Sequence, residues 1–256
     1  MSMFIITGSV PPEKGSISSP AVATSMAWYA SAKVAVDFVL ALIISILTLP
    51  IMLFAVLLIK LTSPGPVIYA QTRLGKNGKP FTIYKLRTMT HNCESLTGAQ
   101  WSKPGDTRVT GVGRWLRKTH IDELPQLWNV LRGDMSLIGP RPERPEFCPQ
   151  LEQAIPLYRE RLLIRPGVTG FAQIQLPPDT DFDSVRIKLA YDLYYVENVD
   201  LMFDAAIYVA TLLKILGASF TWIAAICRFP GRETVQRGYE QMSAAGKAIE
   251  FPATQS

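Results

Sequence analysis

The sequence predicts a helix-rich α+β protein. An N-terminal membrane helix, re-entrant or singly spanning, precedes a compact cytosolic domain with a small β-hairpin and interfacial amphipathic helices. Three observations carry this. Phe38 to Ile59 is uncharged throughout and long enough to span a bilayer. Val67–Gln71 and Phe81–Arg87 read as strands around the turn Gly75-Lys76-Asn77-Gly78-Lys79. Beyond residue 120, apolar positions recur at helical spacing.

Composition agrees. Of the 256 residues, 48% are hydrophobic and only 18% charged, with a mean hydropathy of +0.16. That is apolar for a soluble globule and points to a lipid bilayer as partner. The net charge of +5 suits anionic headgroups or phosphates and gives no case for nucleic acid. Cys93, Cys148 and Cys227 are odd in number and scattered. They offer neither a disulfide framework nor metal-ligand spacing, which fits a reducing cytosol.

Taken in order, residues 1–32 mix Ser, Pro, Gly and Ala without periodicity and are expected to form a flexible tail lacking the pattern of a signal peptide. The membrane helix is expected over residues 33–62, with a break at Pro50. A proline removes a backbone donor and kinks a helix, and the Thr48 hydroxyl is placed to satisfy a freed carbonyl. Lys33 and Lys60 flank the run, so positive charge does not vote for opposite sides. A helix that dips in and returns satisfies both lysines; a straight span with a tolerated proline stays open.

Ser63-Pro64-Gly65-Pro66 stops the helix and opens a domain expected over 63–227. Alternation in the second strand places Lys85 and Arg87 on one side. Residues 90–110 read as a loop in which Trp101 and Asp106 either line a site or anchor the chain. Pro145–Leu163, Ile187–Val196 and Leu201–Leu216 read as helices, the last amphipathic with Asp204 and Lys214 as polar breaks. Residues 228–256 read as a polar tail. There is no internal repeat.

The chain is organised around Arg117 to Asp134 and the following Gly139-Pro140-Arg141-Pro142. Thr119 and Asp122 have capping-box spacing. Pro125 suits a first helical turn, Leu124, Leu127, Trp128 and Leu131 form one apolar face, and Gly133 is a stop. Asp122 and Glu123 thus sit at a helix start amid Arg114, Arg117 and Lys118. Such a pair also serves merely to complement a helix dipole. The second basic element, an arginine fixed between two prolines, tips the reading toward phosphate handling with a divalent metal. His120 reads as an exposed helix-start residue rather than a base.

These segments resemble the bacterial sugar transferases, the monotopic polyprenyl-phosphate phosphoglycosyl transferases. The likeness is carried by Lys85-Leu86-Arg87-Thr88-Met89, Val112 to Thr119, Asp122 to Val130, Gly133 to Pro142 and Arg165-Pro166-Gly167-Val168-Thr169-Gly170, collinear across residues 33–216. The resemblance implies transfer of a sugar 1-phosphate from a nucleotide diphosphate sugar, with uridine as the expected nucleotide, to polyprenyl phosphate at the cytoplasmic face of the bacterial inner membrane. It implies Asp122 as nucleophile, Glu123 as holder of Mg²⁺, Arg117 and Arg141 on phosphate oxygens, and weaker support from Arg87 and Lys85. It also implies a re-entrant helix broken near a proline. Relatives commonly continue Trp-Ala-Gln-Val-Asn-Gly-Arg where this chain has Phe171-Ala172-Gln173-Ile174-Gln175-Leu176-Pro177-Pro178, so any contact made by Asn-Gly-Arg is missing. Two other classes stand beside this one: a non-catalytic membrane-anchored partner of polysaccharide machinery, and a metal-dependent lipid diphosphate hydrolase. The sugar, the polymer and any homo-oligomer are not legible.

Overall fold

The computed structural model describes residues 20–94, 98, 105–177 and 181–246, with backbone alone for 20–27. Helix α1 runs from Pro20 to Thr62 without interruption at Pro50. It therefore begins well inside the segment expected to be a tail; residues 1–19 lie outside the described residues. Pro50 sits on the outward, exposed face. The Thr48 hydroxyl donates to the Ile44 carbonyl at 2.7 Å, not to the Ile46 carbonyl that Pro50 leaves without a donor. Asp37, Ala41, Ala55 and Ile59 are buried and lie on one stripe of the helix, spaced near multiples of the helical turn. Both halves of α1 thus pack on the same domain. The outward face stays apolar and exposed, as at Leu47, Leu53 and Leu61.

Strands β1 (Ile68–Leu74) and β2 (Pro80–Leu86) form the expected antiparallel hairpin, with Tyr69 opposite Lys85. Asn77 and Gly78 take left-handed backbone in its turn, with φ of 57° and 71°, which these two residue types tolerate best. Helix α2 (Gly111–Lys118) follows, capped by the Thr110 hydroxyl. Then come a 3₁₀ turn at Ile121–Glu123 and helix α3 (Gln126–Leu131). Thr119 does not form the expected capping box. Its hydroxyl bonds back to the Trp115 and Leu116 carbonyls and closes α2. The buried face of α3 is Gln126, Leu127, Asn129 and Val130, while Trp128 is exposed. Gly133, at φ 79°, ends the element as expected.

β3 (Ser136–Ile138) and β4 (Gly167–Thr169) form a short parallel pair. It joins two motifs about thirty residues apart in the chain. A Cβ on Gly167 would run into the Gly139 backbone nitrogen, and one on Gly139 into the Arg165 carbonyl. The two backbones touch, so glycine is required on both sides.

The helix expected over Pro145–Leu163 is instead α4 (Cys148–Ala154) and a 3₁₀ turn at Tyr158–Leu162. Pro156 and the left-handed Leu157 (φ 62°) separate them. After α5 (Phe171–Gln175), α6 (Phe182–Glu197), α7 (Leu201–Ile215) and α8 (Phe220–Ile226) build the main core. Phe171 is its centre, with ring centroids of Tyr191, Phe203 and Phe229 at 5.1, 5.1 and 5.2 Å. Asp204 does not face the membrane interface. It is buried and accepts from Tyr195 Oη (2.6 Å), Tyr29 Oη (2.8 Å) and Lys33 Nζ (2.9 Å). Asp37 likewise accepts from Ser136 Oγ (2.6 Å) and Tyr208 Oη (3.0 Å). These two acids tie α1 to α7 and β3. The expected C-terminal tail contains α9 (Arg232–Ala245). Val235, Tyr239 and Met242, spaced i, i+4, i+7, join the main core, and that apolar stripe orders the segment.

Candidate active site

Asp122 and Glu123 share one wall of a cavity of about 780 Å³ that also receives Lys85, Arg87, Arg117 and Arg141. Asp122, Glu123 and the four cations picked from the sequence as phosphate contacts all line it. The placing is done by three ties. Asn129, fully buried on α3, accepts from Tyr84 N at 3.2 Å and donates to the Thr82 carbonyl at 2.7 Å. It thus clips the carboxylate-bearing turn to the free edge of β2. Arg117 Nε donates to Thr88 Oγ1 at 2.8 Å, joining α2 to the end of the hairpin. Arg161 Nη2 donates to the Arg141 carbonyl at 2.8 Å and pairs with Asp192 at 2.7 Å, which fixes the backbone that aims Arg141.

The two adjacent acids differ in environment. Glu123 Oε1 takes Lys85 Nζ at 2.8 Å and Arg141 Nη2 at 2.5 Å. Arg141 Nη1 reaches Oε2 at 3.4 Å. Burial pushes Glu123 up, but Arg141 and Lys85 outweigh it and hold this carboxyl well below the usual range. Asp122 takes none of these bonds. Burial first and Glu123 second push its ionisation up to about 6, against the pull of Lys85, Arg117 and Arg141. The pair is therefore one clamped anion beside one nearly naked carboxylate, a split that suits distinct roles. Arg141 and Lys85 thus set the charge of Glu123, whereas burial and the neighbouring Glu123 set that of Asp122.

A magnesium ion of the kind expected binds through one or two carboxylates plus substrate phosphates and water. Glu123 Oε2 carries only the longer Arg141 contact, which leaves one carboxylate oxygen of the type such an ion takes. Among the described residues no group of three or more His, Cys, Asp or Glu could hold a metal without such phosphates.

The cavity extends beyond what the sequence suggested. Tyr69 and Arg73, alternate residues on β1, line it together with Glu94, Glu143 and Arg144. Arg73 pairs with Glu143 at 3.5 Å and Arg144 with Glu94 at 3.0 Å. Strand alternation carried to β1 would have found Tyr69 and Arg73; the pairings would not have followed. His120 is exposed at the mouth, its left-handed backbone (φ 56°) leading into the acidic turn. Asp106 pairs with Arg108 at 2.6 Å and anchors the loop; Trp101 lies outside the described residues.

A family profile described as bacterial sugar transferase matches residues 28–218. The chain belongs to the bacterial sugar transferase family. It is 48% identical over 188 residues to a UDP-N-acetylgalactosamine-undecaprenyl-phosphate N-acetylgalactosaminephosphotransferase of Aeromonas hydrophila, covering 73% of this chain and 44% of that one. It is 45% identical to a UDP-glucose:undecaprenyl-phosphate glucose-1-phosphate transferase of Caulobacter vibrioides, covering 70% of this chain and 68% of that one. A putative undecaprenyl-phosphate N-acetylgalactosaminyl 1-phosphate transferase of Bacillus subtilis is 50% identical over 134 residues, 52% of this chain and 74% of its own. The match thus spans less than half of the Aeromonas protein and about two thirds to three quarters of the other two. All of the site described above falls inside the matched region.

Proposed function

We propose that this protein is a phosphoglycosyl transferase that moves a sugar 1-phosphate from a UDP-sugar to polyprenyl phosphate. The observation that carries the reading is the Asp122–Glu123 pair, one acid clamped by Lys85 and Arg141 and the other open to the cavity. Transfer at a diphosphate asks for alignment and charge neutralisation, and the wall of cations supplies both.

In the first step an Asp122 carboxylate oxygen attacks the sugar-bearing phosphorus. The bond from that phosphorus to the bridging oxygen breaks, and UMP departs with the electron pair. In the second step a phosphate oxygen of the lipid attacks the same phosphorus, and the Asp122 carboxylate leaves, giving polyprenyl-diphosphate sugar. A carboxylate ionising near pH 6 is available as a nucleophile at neutral pH. Glu123, beside Asp122, would hold Mg²⁺, which when bound supplies charge neutralisation to the diphosphate. Arg141 and Lys85 keep Glu123 ionised. Arg141, with its side chain 40% exposed, and Arg117 can offer planar forks to phosphate oxygens.

The membrane placement rests on α1. From Lys33 to Ile59 the inward stripe contacts one domain along about 39 Å at 1.5 Å per residue. The hydrocarbon core is about 30 Å thick. A helix tied along one stripe to its own polar domain near both ends of that length does not cross the bilayer upright. It enters by its apolar outer face with both ends on one side, the cytoplasmic one. Exposed Met202, Leu216 and Trp222 on and after α7 suit the same interface.

Trapping tests the reading. Protein given radiolabelled UDP-sugar without lipid should acquire label that hydroxylamine releases, and Asp122→Asn should not. Label retained by Asp122→Asn and lost from Glu123→Gln would reverse the two roles. UMP release that needs no lipid and forms no trapped label would favour hydrolysis.

A further inference from the structure

The cations around the cavity are not alike. Lys85 and Arg141 are held by Glu123, Arg73 by Glu143 and Arg144 by Glu94. Arg87 lines the same cavity and is 6% exposed, yet among the described residues no carboxylate pairs with it. Its Nη2 donates to the Ser63 carbonyl and hydroxyl, both at 2.8 Å. Its Nε and Nη1 are buried without a hydrogen-bond partner among the described residues. Arginine stays charged at any working pH, and burying that charge unpaired is costly. Such a side chain in a cavity wall has the chemistry of an anion subsite.

Arg87 is also built into its position. Ser63 directly follows α1, and Gly65, at φ +108°, packs so closely that a Cβ there would run into Arg87 Nη1. The exit turn of the apolar helix therefore wraps the guanidinium. Arg87 lies two residues past Lys85 on the same side of the hairpin, roughly 7 Å along it, next to where α1 ends. Apolar surface adjoins it. Pro66 and Ile68 line the cavity, and Leu61 on the last turn of α1 is exposed. A phosphate bound here has an apolar track beside it.

Resting on the transferase reading above, we propose that Arg87 is the acceptor subsite. Its guanidinium binds the phosphate of polyprenyl phosphate, and the prenyl chain runs out over Pro66 and Ile68 toward the end of α1. The donor diphosphate meets Arg117 and Arg141 instead.

The test compares wild type, Arg87→Gln, Arg87→Lys and Ser63→Ala, each checked by thermal melting in detergent. Steady-state kinetics give KM separately for polyprenyl phosphate and UDP-sugar, and label trapping reads the donor half-reaction alone. Arg87→Gln should raise the acceptor KM about tenfold or more, the size of a lost charge-assisted phosphate contact. Trapping and the donor KM should stay within about twofold of wild type. Arg87→Lys, which keeps charge without the fork, should fall between. Ser63→Ala removes one anchor but no guanidinium and should change the acceptor KM less than either. An unchanged acceptor KM, or equal losses for donor and acceptor, overturns the assignment; if Arg87→Gln does not fold, Arg87→Lys decides by the same criteria. A binding arm separates the two sources of phosphate and needs no turnover. A short-chain prenyl phosphate should bind wild type more tightly than inorganic phosphate does, and should lose that binding in the Arg87 variants. Equal binding of both anions would make this a site for free phosphate and overturn the lipid assignment. If wild type transfers nothing, the transferase reading fails while the binding arm still judges Arg87.

Discussion

Replacing Asp122 by asparagine is expected to abolish transfer and to stabilise the protein. Asp122 is 7% exposed, and burial, then Glu123, raise its ionisation from 3.8 to about 6. A rise of about two units corresponds to ~3 kcal/mol at 1.36 kcal/mol per unit. Between these two values the native protein holds a proton that the unfolded chain has released. Stability therefore falls as pH climbs through the window. The group imposes nothing below about pH 4, and its full cost above about pH 6. Asparagine carries no charge to bury. At pH 7 the variant should exceed wild type by ~3 kcal/mol, or roughly 6–12 °C in midpoint for a chain of this size. The gap should close toward pH 4. Thermal melts of detergent-purified protein from pH 4 to 8, followed by tryptophan fluorescence, read this directly. Wild-type transfer should rise across pH 6 as Asp122 ionises. A variant no more stable than wild type at pH 7, or a gap indifferent to pH, would refute the claim that Asp122 is held ionised against its surroundings.

Arg117→Lys and Arg141→Lys should each lose about tenfold or more in kcat/KM, because charge without the planar fork gives up ~1.4 kcal/mol or more of transition-state binding; near-normal turnover in both would leave these arginines a field or packing role. Asn129→Ala should cost about 2–3 kcal/mol in stability, since the Tyr84 N–H and the Thr82 carbonyl lose their buried partner together, and chemical denaturation would show it as a lower midpoint at unchanged slope. Cysteines placed at positions 31 and 62 should both be labelled by a reagent confined to the cytoplasmic side, whereas labelling from opposite sides would show that α1 crosses the bilayer.

Much of this protein was legible in its residues because the signals are local. The hairpin follows from alternation around an Asn-Gly turn, and the long apolar helix from an uncharged run. The acidic pair, Gly133 and the glycine–proline motif announce the site because each has its own backbone requirement. The boundaries that failed were those where a nearby partner competed with the expected one. Thr119 had two helices within reach and closed the earlier. Leu157 took left-handed backbone and cut one expected helix into two pieces. The segment beyond residue 228 looked polar because Val235, Tyr239 and Met242 form a stripe only once helical spacing is imposed.

What only the tertiary structure decided is which charges meet. Lys85, Glu123 and Arg141 are 38 and 18 residues apart in pairs, and no periodicity forecasts that both cations close on Glu123 and leave its neighbour open. Asp204 read as a polar break in an apolar helix, but folding made it, together with Asp37, a tie that binds α1 to the domain. The sequence by itself determined the chemistry on offer: two acids, a set of arginines and a long apolar helix. The fold determined their environments, because the ionisation and availability of a buried charge depend on distances and desolvation that exist only after distant segments pack.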